Sequence, residues 1–159
     1  MNAVLDNIRS LLDERGVPYK ELSHEATFTS EESARVRGES LAVGAKALLV
    51  KTDDVFRLFV LPADRQFDAK KVKQELKVRS IRFATKDELW ELTNLVPGSV
   101  PPFGRPVLPF DLYGDVAIGA TEDKVAFNAA SLTTSIIMAA SDWKAVAQPV
   151  VFSFAKDGG

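Results

Sequence analysis

The groups of this sequence best suited to chemistry are Lys46, the one histidine His24, and the backbone of Pro97-Gly98-Ser99-Val100-Pro101-Pro102-Phe103-Gly104-Arg105-Pro106. Four prolines and two glycines in those ten residues make a stiff, shaped loop. Proline fixes φ and removes an amide donor, while glycine reaches backbone conformations closed to other residues. Gly98, Ser99 and Val100 keep their N–H groups, and Pro101-Pro102 holds the chain extended beyond them. Successive amides presented in this way can hold an anion or a polarised carbonyl. Taken alone, the stretch reads first as a rigid connector. Lys46 lies at the start of an apolar run, and strand alternation sets it on one face with Leu48 and Val50. A lysine so placed either snorkels to solvent, the commoner outcome, or occupies a polar cleft.

Composition narrows the chemistry further. With no cysteine there is no disulfide, thiol nucleophile or thiolate zinc site, and one histidine excludes a two-histidine mechanism or a histidine-rich metal site. A metal-dependent hydrolase would need an all-carboxylate site, so no metal and no cofactor are expected. A 159-residue chain with 46% apolar and 26% charged residues has the composition of a soluble globular protein and is read as one domain, 1–159. No apolar run approaches the roughly 18 residues that span a bilayer. Residues 1–20 alternate charges with leucines and lack a secretory apolar core, so the expectation is a cytoplasmic protein without membrane contact. Formal net charge is −2, yet residues 65–86 carry eight basic against two acidic side chains. Such a window either steers a phosphate backbone or forms a solvated helix face.

The elements that would position these groups follow from periodicity. Val4, Leu5, Ile8, Leu11 and Leu12 mark an amphipathic helix that Gly16 stops, followed by a short strand at 19–23. Thr29-Ser30-Glu31-Glu32 has capping-box spacing and opens a helix ending near Gly38. The runs 45–52 and 55–62 around Asp53-Asp54 read as a core hairpin. Asp68 caps the next helix, with Phe67 poised to staple against Val72. A strand at 80–84 and a second capping box, Thr85-Lys86-Asp87-Glu88, precede the proline-rich loop. Beyond it, strands are expected at 107–112, 116–119, 124–128, 132–139 and 149–154, with a short helix capped by Ser141-Asp142. The mixed order predicts an α+β fold with a mixed, largely central sheet flanked by helices.

Ala45-Lys46-Ala47-Leu48-Leu49-Val50, followed about fifty residues later by Gly98-Ser99-Val100-Pro101-Pro102-Phe103-Gly104, resembles the YbaK/prolyl-tRNA synthetase-associated editing domain family. Members carry a lysine opening a central strand and a later loop of G-x-x-x-P type. Three further stretches are similar. His24 stands where many members have a histidine, Phe67-Asp68-Ala69-Lys70-Lys71-Val72 is similar to the L-D-L-K-K-V helix start, and Asn128-Ala129-Ala130-Ser131 to an A-A-G-T turn, with Ala130 replacing the glycine. Together they cover roughly residues 3–150.

The resemblance implies a trans-acting aminoacyl-tRNA deacylase that hydrolyses the ester of mischarged tRNA, with tRNA-Pro first among candidates and prolyl-tRNA synthetase as a candidate partner. It implies Lys46 as the functional lysine, Gly98, Ser99, Val100, Pro101, Pro102 and Gly104 as the substrate-binding loop, and His24 as a further substrate-side position. Lys70, Lys71 and Lys73 become candidate tRNA contacts. An aminoacyl ester is already activated, so its hydrolysis requires a positioned water and oxyanion stabilisation rather than a strong protein nucleophile. The rival reading is a non-catalytic module that binds a tRNA end, a nucleotide or a protein partner in the same pocket.

Overall fold

The computed structural model describes residues 2–157. Along the chain run α1 (Ala3–Glu14), β1 (Tyr19–Ser23), α2 (Ser30–Arg37), β2 (Ala45–Thr52), β3 (Val55–Pro62), β4 (Arg65–Phe67), α3 (Ala69–Leu76), β5 (Ile81–Phe83) and α4 (Lys86–Thr93). After the proline-rich loop come β6 (Leu112–Asp115), β7 (Val125–Asn128), β8 (Thr134–Met138), α5 (Ala140–Ala147), β9 (Val150–Phe152) and β10 (Ala155–Asp157).

The β2–β3 hairpin is the centre, antiparallel from Ala45 opposite Pro62 to Thr52 opposite Val55. Its turn is held from outside, because the Asp53 carboxylate accepts the amides of Arg79 (3.0 Å) and Ser80 (2.9 Å). The hairpin lies inside a five-stranded mixed sheet of order β5-β2-β3-β6-β9, with β3–β6 and β6–β9 parallel. An antiparallel sheet β1-β8-β7 and a β4–β10 pair complete the α+β architecture.

Leu58, Phe59, Val60 and Leu61 of β3 have no exposed surface, because this strand is covered on both faces. On one face Leu49, Leu58 and Val60 meet Leu5, Ile8 and Leu12 of α1, Trp143 of α5 and the inward side chains of β7 and β8. On the other, Val50, Phe59 and Leu61 join Val72 of α3, with Phe67 packed against the same cluster as the staple pattern requires. Phe59 stacks on Tyr113 at 5.0 Å and meets Phe67 and Phe154 edge-on at 5.2 and 5.3 Å. Each such pair adds about 0.5–1.5 kcal/mol beyond its buried area.

The helix starts follow the sequence closely. Thr85 and Glu88 form a reciprocal capping box, and Asp68 accepts the Lys70 amide at 3.1 Å. Thr29 accepts the Glu32 amide at 3.1 Å.

Four expectations require correction. Residues 107–110 turn rather than extend, because Val107 and Leu108 both donate to the Gly104 carbonyl and Phe110 donates to Leu108. Residues 116–119 form a turn on Asp115, whose carboxylate accepts the Ala117 amide at 2.9 Å. The other carboxylate oxygen of Asp115 accepts the amides of Phe154 (2.8 Å) and Ala155 (2.9 Å), so the strand expected over 149–154 ends at Phe152 as β9, and a further strand, β10, follows it. Ser141 does not cap α5. Ala139 holds the N-cap position, and Asp123 accepts the Ser141 amide at 2.8 Å from outside the helix. No helix among the described residues is long and apolar enough to cross a membrane.

Candidate active site

The start of β2, the inward face of α2 and the proline-rich loop enclose a pocket of about 210 Å³. Its lining includes Thr27, Ser33, Arg37, Lys46, Gly98, Val100 and Asn128. α2 faces the pocket with Ser30, Ser33 and Arg37, the i, i+3, i+7 spacing of one helix face. That stripe is polar where a helix packed on a core would carry apolar residues.

Lys46 lines the pocket and makes no salt bridge or hydrogen bond among the described residues. Desolvation lowers its pKa below the ordinary lysine value, against the smaller opposing pull of Asp64 and Glu31. It is the polar-cleft alternative, not the snorkelling one, that the fold realises.

Gly98 and Val100 line the same pocket from the loop. Gly98 has φ +87°, a conformation that a side chain would strain. The Ser99 amide and hydroxyl are both committed to the Val96 carbonyl, at 3.1 and 2.8 Å, and Ser99 is buried. The Gly98 and Val100 amides make no hydrogen bond among the described residues, so of the three successive amides these two remain for a ligand.

Pro101, Pro102 and Gly104 sit behind the wall rather than on it. The Pro102 carbonyl accepts the Trp143 indole N–H at 2.8 Å, anchoring the loop to α5. A Cβ on Gly104 would stand 2.5 Å from the Phe110 carbonyl, so only glycine allows the chain to close there. These residues shape the loop from the core side.

Behind the pocket runs a polar network that includes residues the sequence did not single out. Arg37 donates from Nε to Ser135 Oγ (2.9 Å) and from Nη2 to Asn128 Oδ1 (3.0 Å). Asn128 Nδ2 donates to the Gly98 carbonyl at 2.8 Å. His24 does not line the pocket. Its Nδ1 lies 2.8 Å from the Glu25 carbonyl, an acceptor, so Nδ1 carries the proton and Nε2 faces Ser135 Oγ at 2.7 Å. Arg37 has no carboxylate partner among the described residues, and burial lowers its pKa to about 10. The signal that could have found Arg37 was the polar face of α2. Asn128 stood out in the sequence only as part of the 128–131 turn stretch, and nothing there marked Ser135, its cross-strand partner.

Lys70, Lys71 and Lys73 lie on α3, away from this pocket's lining. Lys70 and Lys73 are exposed, while the Lys71 amine reaches the Ala155 carbonyl at 3.1 Å. Lys86, at the start of α4, lines a smaller pocket of about 130 Å³ that shares Ala47, Leu48, Gly98 and Val100 with the first.

Ala130 carries φ +61°, the left-handed conformation that glycine adopts freely, and its carbonyl accepts Asn2 Nδ2 at 2.7 Å. The turn geometry thus survives the absent glycine. Comparison with known proteins matches the aminoacyl-tRNA editing domain to residues 24–146, a span that includes the lysine strand, the loop and the network. The chain belongs to this family. This editing domain is 34% identical over 150 residues to the multifunctional Ser/Thr-tRNA deacylase ProXp-y of Escherichia coli K12, covering 91% of this chain and 89% of the relative. It is 30% identical over 112 residues to a proline–tRNA ligase of Shouchella clausii, covering 70% of the editing domain's chain but 18% of the ligase. The crystal structure of a candidate trans-editing enzyme for prolyl tRNA synthetase has the same fold, with a TM-score of 0.81 at 21% identity over 98% of this chain and 99% of that one.

Proposed function

We propose that the protein is a trans-acting aminoacyl-tRNA deacylase, which hydrolyses the ester between a wrongly attached amino acid and the terminal ribose of a tRNA. The observation that carries this reading is the meeting of a desolvated, unpaired Lys46 with two free loop amides in one pocket. Relatives named as deacylases and matched over nearly their whole length support it. Serine and threonine esters are the first substrates, following ProXp-y. Kinship with the ligases makes tRNA-Pro the first tRNA to test and prolyl-tRNA synthetase the candidate partner.

The mechanism follows from what ester hydrolysis demands. The Gly98 and Val100 amides donate to the ester carbonyl as negative charge develops on it, the kind of preorganised electrostatic help whose loss costs about 10²–10³ in rate. The Lys46 ammonium holds the substrate from the β2 side, at the carbonyl oxygen or the terminal phosphate. No side chain of the pocket is an evident general base, so the attacking water is positioned by the pocket and the substrate's own hydroxyls. Pro101, Pro102 and Gly104 keep the amides aimed, and the Arg37–Asn128 pair fixes the Gly98 peptide from behind.

Incubating the protein with radiolabelled Ser-tRNA and Thr-tRNA, then counting free amino acid, tests the reading. A deacylase releases the amino acid well above the spontaneous rate. Ester protection against alkaline loss would instead establish the non-catalytic binder.

A further inference from the structure

Two buried hydroxyls in the pocket have no place in the mechanism above. Thr27, in the segment before α2, and Ser33, on the inward face of α2, both line the pocket and are 3% and 6% exposed. Their oxygens lie 2.8 Å apart, and neither side chain makes another hydrogen bond among the described residues. Two hydroxyls hold two protons, and their mutual bond uses one. The pair therefore keeps one unused O–H donor and free lone pairs in a buried place, where an unmade hydrogen bond is costly. Both residues are fixed independently of any ligand. The Thr27 amide donates to the Leu132 carbonyl at 3.2 Å, and the Ser33 amide to the Thr29 carbonyl at 3.1 Å within α2. Ser33 also shares its helix face with Arg37, four residues on, whose side chain enters the same pocket.

We infer that Thr27 and Ser33 are the specificity-determining pair of this site, receiving the side-chain hydroxyl of a seryl or threonyl ester. The inference rests on the deacylase reading and adds to it the groups that choose the amino acid. A substrate hydroxyl both donates and accepts, so it takes the pair's unused proton and gives its own to a free lone pair. An alanyl ester of nearly the same size offers neither, and leaves the buried donor unmatched. Size alone discriminates such close analogues weakly, whereas a site built to hydrogen-bond a hydroxyl rejects the analogue that lacks it far more strongly.

The test measures kcat/KM for Ser-tRNA, Thr-tRNA and Ala-tRNA with the wild-type protein, Thr27→Val and Ser33→Ala. Valine keeps the shape of threonine and removes only the hydroxyl; alanine in place of Ser33 removes one oxygen without adding bulk. The wild type is expected to favour the hydroxylated esters, and each variant to lower the Ser-to-Ala rate ratio by about tenfold or more, the worth of one or two hydrogen bonds. Because the ratio is taken within one preparation, it does not depend on the fraction of molecules folded. Equal loss on all three esters, or an unchanged ratio, overturns the specificity role while leaving the deacylase reading intact. A wild-type protein inert toward every ester would remove both.

Discussion

Asn128 donates its side-chain amide to the Gly98 carbonyl at 2.8 Å while accepting from Arg37 at 3.0 Å, so the end of a core strand sets the orientation of the Gly98 peptide. A misplacement of about 1 Å can cost on the order of 10²-fold in rate. Asn128→Ala is therefore expected to lower single-turnover deacylation by about 10- to 100-fold. The stability change should stay near that of a lost hydrogen bond, about 0.5–1.5 kcal/mol. Chemical quench and urea denaturation read the two quantities separately. Wild-type turnover in this variant would mean that the loop holds its shape without the tie.

Lys46 gives a pH dependence with a definite sign. Its pKa in the folded protein is lowered, chiefly by desolvation, so the folded state binds its proton less tightly than the unfolded chain does. This cost to stability is fully present below the folded pKa and disappears as pH rises through the unfolded one. Stability should therefore increase with pH across that interval, insofar as Lys46 governs it. Lys46→Met removes the desolvated charge, and is expected to be at least as stable as the wild type at neutral pH while losing deacylation. Denaturant midpoints of the two proteins from pH 7 to 10.5, the ordinary lysine value, check this. The difference between them should narrow as pH rises, and a constant difference would contradict the assignment.

Ala130 holds a backbone conformation that costs an L-residue roughly 1–2 kcal/mol. Glycine relieves that strain and adds back about 0.5–1 kcal/mol of unfolded-chain entropy. Ala130→Gly should accordingly raise the urea midpoint slightly, by the equivalent of about 0.5–1 kcal/mol, with deacylation unchanged. A lower midpoint would show that the Ala130 methyl, buried in the core cluster, contributes more by packing than its backbone loses by strain.

The exposed Lys70 and Lys73 are proposed to meet the tRNA backbone, whereas Lys71 is engaged with the Ala155 carbonyl. Replacing both Lys70 and Lys73 by Glu should weaken tRNA binding and flatten the slope of log K against log salt, since fewer counterions are released. Filter binding between 50 and 200 mM salt measures it, salt concentrations chosen as a range over which such contacts respond strongly. An unchanged affinity and slope would make α3 a solvated face only.

Much of this molecule could be read from local pattern. The β2–β3 hairpin and the capped starts of α3 and α4 depend on residues close together in the chain, and the structure reproduces them. Two errors, at 107–110 and 116–119, are tight local turns read as strands, and the other two lie where distant groups take over the backbone. Asp115, almost forty positions earlier in the chain, captures two amides and ends the last expected strand early, and Asp123 accepts the Ser141 amide where Ser141 was expected to cap the helix. The site divides in the same way. Lys46 and the Gly98 loop are unusual compositions, but alone they read as a snorkelling lysine and a rigid connector, and only their joint resemblance to the editing-domain family unites them as a site. Arg37, by contrast, ends a short polar helix that looks solvated, and its burial arises only when β7 and β8 close over it through Asn128 and Ser135. Ser99 shows the limit from the other side, for its amide was expected to face substrate and the turn at Val96 takes it instead.

The central claim is that Lys46 and the Gly98 loop form one hydrolytic pocket, and single-turnover deacylation of Ser-tRNA by wild type and Lys46→Ala tests it most directly. The wild type should release serine well above the spontaneous rate, and Lys46→Ala should fall by at least about 10²-fold, the scale of removing one oxyanion-stabilising group, with its fold intact by circular dichroism. Full activity in the Lys46 variant on every mischarged tRNA would contradict the account.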